Sequence, residues 1–203
     1  MHVEPLSTSL QSIALQLFSK KEAVNAWVSS TFHTPPFHAS MDIRQASHKV
    51  ACCDTNLFPA GWNHIHEKNY PGVVEQLQLA ISTPGRLLLI PEAHTTNRGY
   101  FENIAALKRL LEMAGNNVTI GSTIPYLQQK TSINLNPKTP IDLYPLRGID
   151  LQDYQGTIIN HDRIHLALEH TNKLPKPHYP SAKLGWDQRK KSTHFLHYNH
   201  LAE

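Results

Sequence analysis

The chain has 203 residues, 40% of them hydrophobic and 17% charged, with a formal charge of +3. Those values suit an ordinary globular protein of one domain, or one domain plus an appendage, that needs no disulfide staple to fold. Lysine and arginine scatter instead of forming blocks. That leaves the mild basic charge open between a solvated surface and a modest preference for anionic small molecules such as nucleotides or carboxylates, and argues against nucleic acid as a partner.

In chain order, Ser9 to Val28 places Leu10, Ile13, Leu17, Val24 and Trp27 at roughly helical spacing, with a soft break around Lys20-Lys21. Pro35-Pro36 closes this region, so residues 1–36 read as an N-terminal helical arm and residues 37–203 as the main domain. Two β-prone runs follow, His38 to Arg44 and Lys49 to Cys53, joined by a polar bend. Cys52 and Cys53 are adjacent, and neighbouring strand side chains point to opposite faces, which argues against a structural disulfide between them. A buried pair in a reducing compartment is the expectation. The N-terminus carries no signal-like pattern, and the longest apolar run, Leu87 to Pro91, is far too short to cross a bilayer. The cytoplasm is therefore expected, with no membrane partner.

Val73 to Ile81 predicts a short helix stopped by Ser82-Thr83-Pro84-Gly85. Leu87 to Ile90 is a continuous apolar run, as expected of a strand covered on both faces. Asn97 to Met113 carries Tyr100, Ile104, Leu107, Leu110 and Leu111 on one helical face, and Gly115-Asn116-Asn117 supplies a left-handed stop. Val118 to Gly121 is the next strand, completing a βαβ unit whose right-handed crossover makes its strands parallel. Tyr126 to Thr139 predicts a hairpin or an exposed loop. Ile141 to Leu146 and Thr157 to Asn160 are strand candidates, Arg163 to His170 a short helix, and Trp186 to Ala202 a final helix. The fold class that results is α/β, three-layered, with a mostly parallel sheet and a helical arm before it.

Ligands of open parallel sheets bind beyond the carboxyl ends of the strands. Three polar clusters are expected at such ends. Glu92 to Arg98 sits between the apolar strand and the long helix, where Thr96 or Asn97 can cap and free amides favour an anion. Glu92 and His94 add hydrogen-bonding capacity, and Arg98 can grip a carboxylate; an ordinary cap with a solvated charge pair explains the same spacing. Asn160 to Arg163 repeats the arrangement, with Asp162 open between ligand and N-cap. Asp54 to Asn63 is dense in Asn, Gly and Pro, the composition of a shaped loop. Asp42 and Arg44, two apart on a strand, share a face and suit a zwitterionic amino acid.

Fourteen histidines raise a metal-hydrolase alternative, with His64 and His66 on one side of a strand and His161 and His165 on one side of a helix. No HExxH or CxxC supports it, and metal ligands are expected to be absent. Neither a GxGxxG fingerprint, a P-loop nor a GxSxG elbow occurs, and no catalytic residue can be named.

The blocks Met41 to Arg44, Cys53 to Asn63, Leu89 to Glu92 with His94, Thr95 and Asn97, Ile120 to Ser122, and Gly185-Trp186 with Arg189 to Ser192, His194 and Phe195 together resemble the proteobacterial glutamate–cysteine ligase family. They run in the family's order and cover most of Met41 to Tyr198. The turn departs from the family pattern at Ala93, where Asn is usual, and at Thr96, where Arg is usual. Family members are ATP-grasp-like ligases about twice this length, and the resemblance implies the domain that precedes the ATP-grasp half. It implies ATP-dependent joining of glutamate to cysteine, with ATP and Mg²⁺ as cofactors of the complete enzyme and a fragment that is inactive alone. A separate C-terminal ATP-grasp chain is an implied partner. Asp42, Arg44, Asp54, Asn56, Asn63, Glu92, His94, Asn97, Arg98, Asn160, Ser192 and His194 are expected at the substrates, with Arg189, Lys190 and Lys191 near the nucleotide phosphates. The Asp54–Asn63 loop and the Glu92–Arg98 turn are expected to meet at one rim of the sheet. A non-catalytic α/β module that docks a partner chain is the alternative.

Overall fold

The computed structural model describes residues 12, 15–16, 18–31, 37–46, 50–58, 60–93, 97–135, 140–161, 173–184, 190, 192–193 and 196. The chain divides into two compact units, Met1–Pro35 and Pro36–Glu203. In the first, helix α1 (Lys21–Thr31) follows a turn residue at Lys20, where the sequence softens, and it buries none of its own residues. Val24, Trp27 and Val28 recur at helical spacing along it, all exposed.

The second unit begins with β1 (Ser40–Gln45) and β2 (Val50–Asn56), an antiparallel ribbon with an irregularity between Asp42 and Ile43. The ribbon is a sheet of its own. The expectation that the Asp54–Asn63 loop leaves a strand of the parallel sheet is therefore corrected: β-propensity and alternation identify a strand but not its partner. Residues 41–44 are exposed on both faces of the ribbon.

Helix α2 (Tyr70–Ala80), strand β3 (Arg86–Pro91), helix α3 (Arg98–Met113) and strand β4 (Asn117–Ser122) follow. They are joined by β5 (Thr131–Asn134), β6 (Pro140–Pro145), β7 (Gly156–Asn160) and β8 (His178–Tyr179). The main sheet has the order β5-β6-β4-β3-β7-β8. Every neighbouring pair in it is parallel except β5 with β6, so the stretch expected to be a hairpin or an exposed loop supplies one strand, which pairs with the strand after it. Its βαβ unit closes where expected: Gly115 takes a φ of 96°, and the Asn116 side chain spans the turn, donating to Leu111 O and accepting from Gly85 N.

β3 is the centre of the core. Leu87 and Leu89 face α2 and α3, packing with Ile104, Leu107, Leu111 and Ile158. Leu88 and Ile90 face the other way, onto Tyr154 and Leu174, with Leu146, Ile149 and Leu151 around them. That second cover consists, among the described residues, of irregular chain. The expected helix over Arg163 to His170 lies outside the described residues, as does nearly all of Trp186 to Ala202. His64 ends a 3-10 turn, Trp62–His64, and His66 caps another; neither stands on a strand, which corrects the side-by-side pairing expected of them.

Gly121 on β4 lets this second cover close down. A Cβ there would stand 2.8 Å from Leu88 Cδ1, 3.1 Å from Leu146 Cδ1 and 3.3 Å from Ile149 Cδ1. Gly121→Val is expected to overpack the site and lower stability by about 1–3 kcal/mol, read as a fall in the urea midpoint at unchanged m.

Candidate functional site

In the main sheet the chain steps from β3 to β4 and β6 on one side, then returns to β7 and β8 on the other. The order reverses between β3 and β7, and the crevice beyond the carboxyl ends of two such strands is where open α/β sheets bind ligands. Pro91 of β3 and Asn160 of β7 are register partners there. Glu92 follows the first and His161 the second, and Asn160 and His161 are both buried.

One side chain ties this end together. The Tyr100 hydroxyl, from the first turn of α3, accepts from Glu92 N at 2.8 Å and donates to Asn160 O at 2.8 Å, with Asn160 Oδ1 at 3.2 Å. Burial pushes its pKa well above the usual tyrosine range; the bond from Glu92 N pulls the other way, and the nearby Glu92 carboxylate adds to the rise. The hydroxyl therefore stays protonated and keeps its donor. Helical periodicity alone places Tyr100 in the core stripe and does not reveal this role.

The α3 N-terminus is set by Asn97, whose Oδ1 accepts from Gly99 N at 2.9 Å. Of the two expected caps it is the one described; His94, Thr95 and Thr96 lie outside the described residues. Arg98 is exposed and its Nε donates to Glu102 at 3.1 Å.

The Asp54–Asn63 loop reaches the same end of β7. Asn56 Oδ1 accepts from Phe58 N at 2.8 Å, and Leu57 and Phe58 pack on Ile159. Trp62, however, belongs to the cluster around Ile158, on the opposite face. Between Phe58 and Trp62 the loop therefore crosses from one face of the sheet to the other. It is fastened on arrival by Trp62 N donating to the buried Asn103 Oδ1 of α3 at 2.9 Å. Asn63 is half-buried in the turn that follows. Trp62 also borders an open depression of about 630 Å³ with Phe37, Lys68 and Gln76. His38 stacks on Trp62 with ring centroids 4.5 Å apart, and burial holds its imidazole down at about 4 against the usual 6.5. Neither His38 Nδ1 nor Trp62 Nε1 has a hydrogen-bond partner in the described structure.

Of the sequence-derived candidates, Glu92 and Asn160 are brought together through Tyr100, with Asn97 and Arg98 opening the same helix. Asn56 and Asn63 lie on the loop that passes this end of β7. Asp42, Arg44 and Asp54 stand on the ribbon, where Asp42 and Asp54 are register partners. Lys190 and Ser192 are exposed, while Arg189, Lys191 and His194 lie outside the described residues. Tyr100, Asn103 and His38 were not among the candidates.

The family model described as glutamate-cysteine ligase (GshA) matches residues 15–203. A crystal structure from Methylobacillus flagellatus KT, carrying the provisional name gamma-glutamylcysteine synthetase, matches with a TM-score of 0.78 and 30% sequence identity. The match covers 98% of this chain and 50% of that one, so the chain spans half the length of this relative. A comparison with curated proteins finds no match.

Tyr100→Phe strands the Glu92 amide and the Asn160 carbonyl together, and is expected to cost about 1–3 kcal/mol in denaturant titrations. The depressed His38 makes a second test. The unfolded imidazole gains its proton near 6.5 and the folded one only near 4, so this group drains stability as pH falls through that window and has no effect above it. His38→Phe should flatten the slope of unfolding free energy against pH between those limits; an unchanged slope would refute the assignment.

Proposed function

The chain belongs to the glutamate–cysteine ligase family, and from that premise we propose that it is the amino-terminal, substrate-binding half of such a ligase, acting in glutathione biosynthesis in the cytoplasm. The observation that carries this reading is the junction of Glu92, Tyr100 and Asn160 at the point where the strand order reverses. Tyr100 holds the Glu92 backbone amide and the Asn160 carbonyl at this crevice, and in this reading the Glu92 carboxylate serves an amino acid's ammonium and the Asn160 carboxamide its carboxylate. No helix among the described residues is long and apolar enough to cross a membrane, which accords with this reading.

The reaction is the joining of the glutamate γ-carboxylate to the cysteine amine. ATP transfers its γ-phosphoryl group to the carboxylate and leaves as ADP; the neutral amine then adds to the acyl carbon, and the adduct expels phosphate by breaking its C–O bond and gives up the amine proton to leave the amide. Within this scheme Glu92 receives a substrate ammonium and Asn160 hydrogen-bonds a substrate carboxylate, while Arg98 swings from Glu102 to a second carboxylate. Asn56, Asn63, His94, Asn97, Ser192 and His194 are the further substrate contacts of this proposal. Asp42, Arg44 and Asp54 close over the substrate from the ribbon. Arg189, Lys190 and Lys191 meet the phosphates at the boundary with an ATP-grasp half.

Phosphoryl transfer requires magnesium, and no group of three or more His, Cys, Asp or Glu that could hold a metal occurs among the described residues. No step through the metal is assigned to them. The nucleotide and its metal belong in this proposal to a separate ATP-grasp half, in the same or another chain.

Calorimetric titration of the purified chain with glutamate and cysteine tests the substrate site, and phosphate release from ATP tests the division of labour. Binding of at least one amino acid is expected, without phosphate release at an enzymatic rate until an ATP-grasp half is added. Failure of both amino acids to bind would overturn the first statement, and turnover by the chain alone the second. Glu92→Gln should weaken amino-acid binding by about tenfold, the equivalent of a charge-assisted hydrogen bond, with little change in thermal midpoint.

A further inference from the structure

A second cavity, of about 560 Å³, opens at the carboxyl ends of β4 and β6. It lies on the face of the sheet away from α2 and α3, since Leu146, Ile149, Leu151 and Leu174 line it and pack with Leu88 and Ile90. Its wall is braced by Arg147, whose guanidinium donates to Leu127 O at 2.8 Å and to Gln128 Oε1 at 2.6 Å, tying the 125–128 loop to the 146–148 turn.

The polar groups of this cavity share one sign. Arg147 and Lys173 line it, and among the described residues no carboxylate does. Arg147 has donors committed to the loop and contributes mainly fixed charge. Lys173 is exposed and has no hydrogen-bond or ion-pair partner among the described residues, so its ammonium is available at the rim. Ser122, also in the lining, is 3% exposed, and its Oγ accepts from Ile124 N at 3.2 Å while its own O–H proton has no acceptor among the described residues. An apolar chamber with a buried hydroxyl donor and a free ammonium at its mouth complements a ligand with a hydrocarbon body and a single anionic head.

We propose that the cavity between the 122–127, 146–151 and 173–174 segments binds a small apolar monocarboxylate, its head held by Lys173 and Ser122 and its body lying among Leu146, Ile149 and Leu151. The site is distinct from the β3–β7 crevice and does not rest on the ligase reading. A zwitterionic amino acid is a poor match for it, because among the described residues no carboxylate lines the wall to receive an ammonium.

The test is calorimetric titration of the full chain with octanoate, and with octylamine and 1-octanol as probes of equal apolar body. Octanoate is expected to bind one to one and more tightly than either control. Lys173→Gln should weaken octanoate by about three- to fivefold, the range of a partly exposed ion pair, and leave 1-octanol unchanged. Leu151→Trp, which fills the chamber, should abolish octanoate binding; Thr123→Trp at the mouth serves the same purpose if the first variant loses its native circular dichroism. Equal affinity for octanoate and octylamine, a stoichiometry above one, or undiminished binding in a folded tryptophan variant would each overturn the proposal as non-specific uptake of amphiphiles. Amino-acid titrations of the same variants keep the two sites apart, since none of the three substitutions is at Glu92, Tyr100 or Asn160.

Discussion

Leu87 to Ile90 cannot be exposed on either side, and most of the molecule answers that demand. Four consecutive side chains, none more than 1% exposed, need apolar cover on both faces of one strand. One face takes α2 and α3, whose stripes are wide enough to close it; the other takes the 146–155 segment with Leu174. With β3 fixed in the middle, β4 and β7 become its neighbours, and the reversal of strand order falls beside it. The crevice is thus a consequence of where the most apolar strand must lie. Glu92 reaches it because it is the first polar residue after that strand.

The βαβ centre was legible because two periodicities change over within a few residues, from the unbroken run of β3 to the 3.6-residue stripe of α3 and back. Its stop was legible too, since a glycine at left-handed φ is what a helix end asks for, and Gly115 supplies it. The β1–β2 ribbon was legible as two strands and not as a separate sheet. Alternation reports one residue's relation to the next, whereas pairing is decided by cross-strand neighbours far away in sequence. His64 and His66 misled for a related reason: in a span without apolar alternation, a spacing of two is equally compatible with successive 3-10 turns.

The candidate site was legible at its ends and illegible at its joint. Glu92 and Asn160 announce themselves as polar residues at strand termini. Tyr100 does not, because an aromatic on the buried stripe of a helix is ordinarily core, and its hydroxyl matters only once the strand ends lie within 2.8 Å of it. Asn103 shows the same limit. Its position on α3 is one a leucine would occupy without comment, yet its side chain accepts the Trp62 amide and so decides where the long loop ends.

Energetics also separate two neighbours that sequence reasoning treated alike. Asn97 is spent as the cap of a 16-residue helix, and withdrawing it costs about 1 kcal/mol, a sum any ligand contact must first recover. Arg98 sits in an exposed pair with Glu102, worth a few tenths of a kcal/mol. A carboxylate arriving at the crevice therefore recruits the guanidinium far more cheaply than the carboxamide. Asn97 then acts on a ligand mainly by holding the first turn of α3, and with it the Tyr100 hydroxyl, in place. The two neighbours divide into one whose side chain can leave its present partner at little cost and one whose value depends on staying where it is.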